Sequence, residues 1–192
     1  MHFALYDRPG TRTLPRANDM RPLTRSVDVI MQRIPLASRW ASERWQPLAV
    51  ELATPPEGFV HATAVPGSHP CHAEGENRWR CRGFEVELHP TEAEGYFLNL
   101  TSAEPRIFVM WRMFDEGVPP ARPVLLTLSY NQAGRYMDGG EQVDGVPMLP
   151  PIADWMRPFI AEHYKPEPRK KVRRNDPLGL DSARRRNRDE FR

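Results

Sequence analysis

The segment His61 to Cys81, HATAVPGSHPCHAEGENRWRC, gathers His61, His69, Cys71, His72 and Cys81. These are the side chains that hold zinc, in closed tetrahedral sets of thiolates and imidazoles. Their spacing does not favour such a site. Cys71 and Cys81 are ten positions apart, and no CxxC or HxxxH pattern brings two ligands onto one turn. We read the segment as a flexible, polar, proline-containing insert; a zinc site built from His69, Cys71, His72 and Cys81 is the competing reading. The two cysteines are expected as free thiols or metal ligands, because a cytosolic pair is seldom a disulfide.

Other reactive chemistry finds little support. No GxSxG elbow presents a nucleophilic serine, and neither a Walker loop nor GxGxxG cradles a phosphate. No HExxH or DxD arrangement occurs, and Glu85 and Glu87, two apart on a strand, read as a solvated face. His163, at the end of a helical stripe, reads as a partner for late carbonyls of that helix. The chain is therefore expected to be no enzyme, with no catalytic residue, cofactor or metal.

Binding chemistry is better represented. The stretch SRWASERW places Trp40 and Trp45 five residues apart, preceded by Arg39 and Arg44. On a strand that spacing points the two rings to opposite faces, and on a helix it separates them by about 140°. One surface cannot hold both. We expect one indole to seal the core and the other to face a protein partner, with Arg39 or Arg44 beside it, since Trp and Arg dominate interface hot spots. The competing reading buries both rings, reached through a bulge between them.

The net charge of +2 hides a segregation. From Lys165 to Arg192 there are eleven Lys/Arg against five Asp/Glu, a net of +6, whereas the first 164 residues carry 16 against 20, a net of −4. Lys170, Lys171, Arg173 and Arg174 form the first cluster of a basic tail whose composition predicts disorder. Such a tail steers towards an acidic protein surface or a phosphate backbone. RNA or ribosome association through it is the alternative to a protein partner. Apart from Phe191 the tail has no aromatic side chain on which bases would stack.

These groups need a scaffold. A length of 192 residues suits one domain with tails, and the 21 prolines predict short elements and long loops. We expect a disordered lead over 1–24, a globular domain over 25–164 and the basic tail over 165–192. No apolar run is long enough to span a membrane, and the first twenty residues lack the apolar centre of a secretory signal, so a cytoplasmic location is expected.

Within the domain, VDVIMQRIP and QPLAVELA read as strands, and GFEVELHP alternates Phe84, Val86 and Leu88 with polar residues as a half-buried strand does. YFLNLTS, RIFVMWRM and PVLLTLSY are apolar on both faces and are expected as three central strands joined by hairpins. NQAGRYMDGGEQVDG is expected as a loop or one broken helical turn. PPIADWMRPFIAEHY places Ile152, Trp155, Met156, Phe159, Ile160 and His163 on one helical stripe, with Pro158 expected to bend the helix. The fold class is α+β: a mainly antiparallel twisted sheet or partial barrel of five to seven strands, with one C-terminal amphipathic helix across it.

The TRSVDVIMQRIP opening, the RW…W pair, the YxxNL(T/S)…P…(F/V)VxxR block and the aromatic helix ending in AEHY together resemble a bacterial family of unknown function. Its genes sit beside molybdenum- or tungsten-dependent formate dehydrogenase and its chaperones. The resemblance runs from Thr24 to Lys171. It departs from the family pattern in a longer His/Cys insert and in Pro158. It carries over no catalytic residue. It implies an accessory or maturation role, with a formate dehydrogenase subunit or its chaperone as the partner.

Overall fold

The computed structural model describes residues 23–53 and 69–166. Residues 1–22, 54–68 and 167–192 lie outside it, and with them His61, Lys170, Lys171, Arg173, Arg174 and nearly all of the expected lead and tail.

Among the described residues seven strands form two antiparallel sheets. The first has the order β2-β1-β4-β3, from β1 (Leu23–Pro35), β2 (Glu43–Leu52), β3 (Cys71–Ala73) and β4 (Arg78–Leu88). The second has the order β6-β5-β7, from β5 (Arg106–Met113), β6 (Ala121–Thr127) and β7 (Gln142–Pro147). β2 lies against β7 and β4 against β6. The fold is thus α+β and antiparallel as expected, but split into two sheets with no closed barrel among the described residues.

The alternation in β4 is realised: Phe84, Val86 and Leu88 are buried, as are Val27, Val29 and Met31 of β1 opposite. These side chains join Trp45, Val50, Ile107, Val109 and Trp111 in one core cluster. Trp111 keeps its indole N–H satisfied by donating to Asp144 Oδ2 at 2.7 Å.

Three α-helices are present among the described residues: α1 (Ala93–Leu100), α2 (Tyr130–Asp138) and α3 (Pro150–His163). Two of them correct the sequence reading. YFLNLTS is helix, because a short apolar run cannot by itself distinguish a buried strand from a buried helix, and here tertiary bonds decide. Asn99, fully buried, donates through Nδ2 to the carbonyls of Arg106 and Leu128, both at 2.7 Å, and its Oδ1 accepts the Arg106 amide at 2.9 Å. One amide side chain thereby ties α1 to the start of β5 and the end of β6.

NQAGRYMD is likewise a full helix. Ser129 caps it, its Oγ accepting the Gln132 amide at 3.0 Å, and Gly139 and Gly140 end it, the latter at a φ of +84° that glycine adopts freely. α1 and α2 approach closely at this cap. A Cβ on Gly95 would overlap the Ser129 hydroxyl, so only glycine fits there.

α3 runs where expected, with Ile152, Met156, Phe159 and Ile160 buried in the core cluster. Pro158 stands inside it on the exposed side. A proline in a helix interior costs about 3 kcal/mol, a penalty that burial of four large apolar side chains comfortably exceeds.

Candidate functional site

The β1–β2 connection is the site of interest. β1 ends at Pro35 and β2 begins at Glu43; the loop between them is closed by the Leu36 amide donating to the Ser42 carbonyl at 2.9 Å. Ser38 Oγ accepts the Trp40 amide at 3.2 Å, which shapes the tip. Trp40 is 85% exposed, and the Arg39 guanidinium lies 5.1 Å from its ring centroid. Leu36 is also exposed, and the Arg44 guanidinium bonds the Gln46 side-chain amide oxygen.

Trp45 has the opposite environment. It is 7% exposed, its ring lies 4.9 Å from that of Trp79 on β4 at 47°, and its indole N–H donates to Glu43 Oε1 at 2.8 Å. Arg33 covers the seam, 5.9 Å from the Trp79 ring centroid and hydrogen-bonded to Asn77 Oδ1 at 3.0 Å. Of the expected anchors, Arg39, Trp40 and Arg44 therefore share the exposed hairpin end, whereas Trp45 lies in the core and cannot meet a partner. Lys170, Lys171, Arg173 and Arg174 lie outside the described residues.

The His/Cys insert corrects a further expectation. Cys71 and Cys81 are joined in a disulfide, and are neither free thiols nor metal ligands. The β3–β4 register puts the two residues directly opposite, with Arg82 N donating to the Pro70 carbonyl at 3.0 Å just beyond. Theirs is the close, non-hydrogen-bonded type of cross-strand pair, at a Cα–Cα distance of 4.0 Å. A count of cysteines carries no information on that register.

His69 stacks on Phe84 at 3.9 Å between centroids, and its Nδ1–H donates to the Arg82 carbonyl at 3.2 Å. Burial lowers its pKa, so the ring is neutral at pH 7. His72 is exposed and pairs in register with Arg80. Among the described residues no three of His, Cys, Asp and Glu come together to hold a metal ion. His163, expected to meet late carbonyls, instead packs its ring on Phe159 at 4.3 Å, and the Tyr164 amide closes the helix end on the Ile160 carbonyl at 2.8 Å.

Two polar clusters were not foreseen. On the outer face of the first sheet, Arg80 bonds Glu51 Oε2 at 2.8 Å, Asp28 Oδ2 at 3.4 Å and the carboxylate of Glu74. The carboxylates of Glu74 and Glu51 hold its guanidinium charged well above the ordinary range. Around the α2 cap, Ser129 Oγ donates to Glu92 Oε2 at 2.6 Å while Arg135 pairs with Glu92 Oε1 at 2.5 Å. A serine beside a carboxylate has the look of an activated nucleophile, but Ser129 is fully buried and its oxygen already accepts the Gln132 amide. Its work is to cap the helix.

Tyr96, in the same block of sequence as Asn99, is also interior. It accepts the His89 amide at 3.1 Å and donates to the Glu87 carbonyl at 3.3 Å; burial pushes its pKa up to about 12. The YxxNL block thus holds α1 in place and offers no group to a ligand. An asparagine inside an apolar run was its signal in the sequence.

Residues 26–173 match the model of a family described as a protein of unknown function, DUF3305. No curated protein and no solved structure matches the chain.

Proposed function

The chain belongs to the DUF3305 family, whose function is not established, and we propose that it is a non-catalytic accessory protein that docks on a larger protein through the β1–β2 hairpin end. The observation that carries this reading is Trp40, the most expensive side chain to leave in water, standing 85% exposed with Arg39 laid on its ring. A preformed aromatic–guanidinium pair is the composition of an interface hot spot, where truncation commonly costs about 2 kcal/mol or more of binding.

The partner is a subunit of a molybdenum- or tungsten-dependent formate dehydrogenase or its chaperone, and the role is assembly or maturation without a cofactor of its own. Support for this partner comes from the resemblance of the RW…W, YxxNL and AEHY blocks described above. Purification of the tagged full-length protein from its source cells, with mass spectrometry of what accompanies it, tests the assignment. A formate dehydrogenase subunit or chaperone is expected, and Trp40→Ala is expected to lose it. RNA or ribosomal proteins alone would transfer the role to the basic tail. Binding of that kind weakens by a factor of about 10³ between 50 and 200 mM salt for six phosphate contacts.

The role belongs in the cytoplasm. No helix among the described residues is long and apolar enough to cross a membrane. Disulfides such as Cys71–Cys81 are rare in that compartment. Alkylation of freshly broken cells decides the matter: both cysteines labelled fits a reducing compartment, and neither labelled places the protein in an oxidising one.

A further inference from the structure

The loop that carries Trp40 joins β1 and β2 at one end of the first sheet. Arg44 sits opposite Ile34, and Gln32 sits opposite both Gln46 on β2 and Arg78 on β4. Residues two apart on a strand share a face, so Arg44, Gln46, Ile34, Gln32 and Arg78 line one face at the hairpin end of the sheet. Strand separation of about 4.8 Å and a rise of about 6.8 Å per two residues place Arg44 and Arg78 about 12 Å apart.

Charge separates this end from the rest of the same sheet. Arg80 and Arg82 are neutralised by Asp28, Glu51 and Glu74, and Arg33 has Glu43 at 3.7 Å. Arg39 meets only the Trp40 ring, Arg44 meets only a neutral amide, and Arg78 is exposed; among the described residues none of the three has a carboxylate within ion-pair reach. Three guanidinium groups without an ion pair and one exposed indole thus share the hairpin end of the first sheet, Arg39 and Trp40 on the connecting loop and Arg44 and Arg78 on the strands.

We infer that this surface takes an acidic, extended segment of a partner protein, with Trp40 packing against its apolar residue and Arg39, Arg44 and Arg78 pairing with its carboxylates. The inference rests on the docking reading above and names the chemistry of the docked segment. Guanidinium groups bind carboxylates in a planar, two-bond geometry. A span of about 12 Å matches about four residues of extended chain, and Gln32 stands on β1, the strand between those that carry Arg44 and Arg78. Single-stranded nucleic acid is the poorer match, because it is held by successive stacking rings and this end presents one.

The test uses the full-length protein and a short fluorescein-labelled Glu/Asp-rich peptide, with a Gln/Asn-rich peptide of equal length and an oligouridylate as comparison probes. Anisotropy should rise with the acidic peptide alone, and Arg78→Glu should weaken that binding by about 5- to 10-fold. Arg157→Glu makes the same change in net charge at an exposed α3 arginine paired with Asp154, and should weaken it by less than about twofold. Equal weakening by the two variants would overturn the inference, as would equal binding of the neutral peptide or displacement of the acidic peptide by oligouridylate. If Trp40→Ala releases a formate dehydrogenase subunit or chaperone while the acidic peptide fails to bind, the docking reading stands and the acidic segment falls. If the peptide binds as described and no such protein accompanies the chain from cells, the surface chemistry stands and the assigned partner falls.

Discussion

Trp40 and Trp45 share one stretch of chain and opposite environments. Trp45 closes a seam with Trp79, its N–H satisfied by Glu43 and the seam lidded by Arg33. Trp40 has a serine hydroxyl to set its backbone and an arginine on its ring, both from the same seven-residue loop. The interior tryptophan is held by three strands, the outer one by its own neighbours. Residue type alone therefore does not separate a structural aromatic from a binding one. The origin of its partners does.

Removing the interior member should have the largest consequence. Trp45→Ala deletes a buried ring against Trp79 and leaves a cavity, at an expected loss of about 3–5 kcal/mol of stability by denaturant unfolding. A loss below about 1 kcal/mol would mean that the seam is not part of the cooperative core. Asn99→Ala is next. It strands the Arg106 amide and the carbonyls of Arg106 and Leu128 in the interior, and an expected cost of about 2–4 kcal/mol follows from leaving buried polar groups unpaired.

The same contrast explains what the sequence made legible. β4 and the stripe of α3 follow from periodicity, β1, β2, β5 and β6 from short apolar or β-branched runs, and the antiparallel α+β class from the hairpin-type connections between strands; all of these signals are local. The separation of Trp40 from Trp45 follows from their spacing, although which one faces out depends on Trp79, thirty-four residues further on. YFLNLTS was misread because its helical state is fixed by bonds to β5 and β6. The Cys71–Cys81 disulfide was missed because it depends on register. α2 did carry a local signal: Ser129 followed three residues later by Gln132 is a helix-start pattern that outweighs the apolar run ending in Tyr130.

A smaller effect distinguishes the interior by pH. Tyr96 ionises at about 12 when folded against 10.0 ordinarily, because burial disfavours the phenolate. Below pH 10 both states hold the proton and the contribution is intact. Between pH 10 and about 12 the unfolded chain releases its proton first, so stability falls as pH rises through that window. Tyr96→Phe should flatten this stretch of the profile, and at neutral pH cost about 1 kcal/mol for its bonds to His89 and Glu87. An unchanged alkaline slope would assign the titration to another group.

The exposed member should show the least in stability and the most in binding. Among the described residues Trp40 is left exposed, so Trp40→Ala is expected to change unfolding free energy by less than about 0.5 kcal/mol, as for an ordinary surface position. Its loss of a protein partner would then be a loss of interface and not of fold, since β1, β2 and the Trp45 seam remain in place. The control is the conservative change Trp40→Phe, which keeps a flat apolar ring under Arg39 and should retain most of the binding that alanine abolishes. If alanine instead lowers stability by more than about 1 kcal/mol, the hairpin end is a packed element of the domain, and the separation between the two tryptophans on which the docking surface rests disappears.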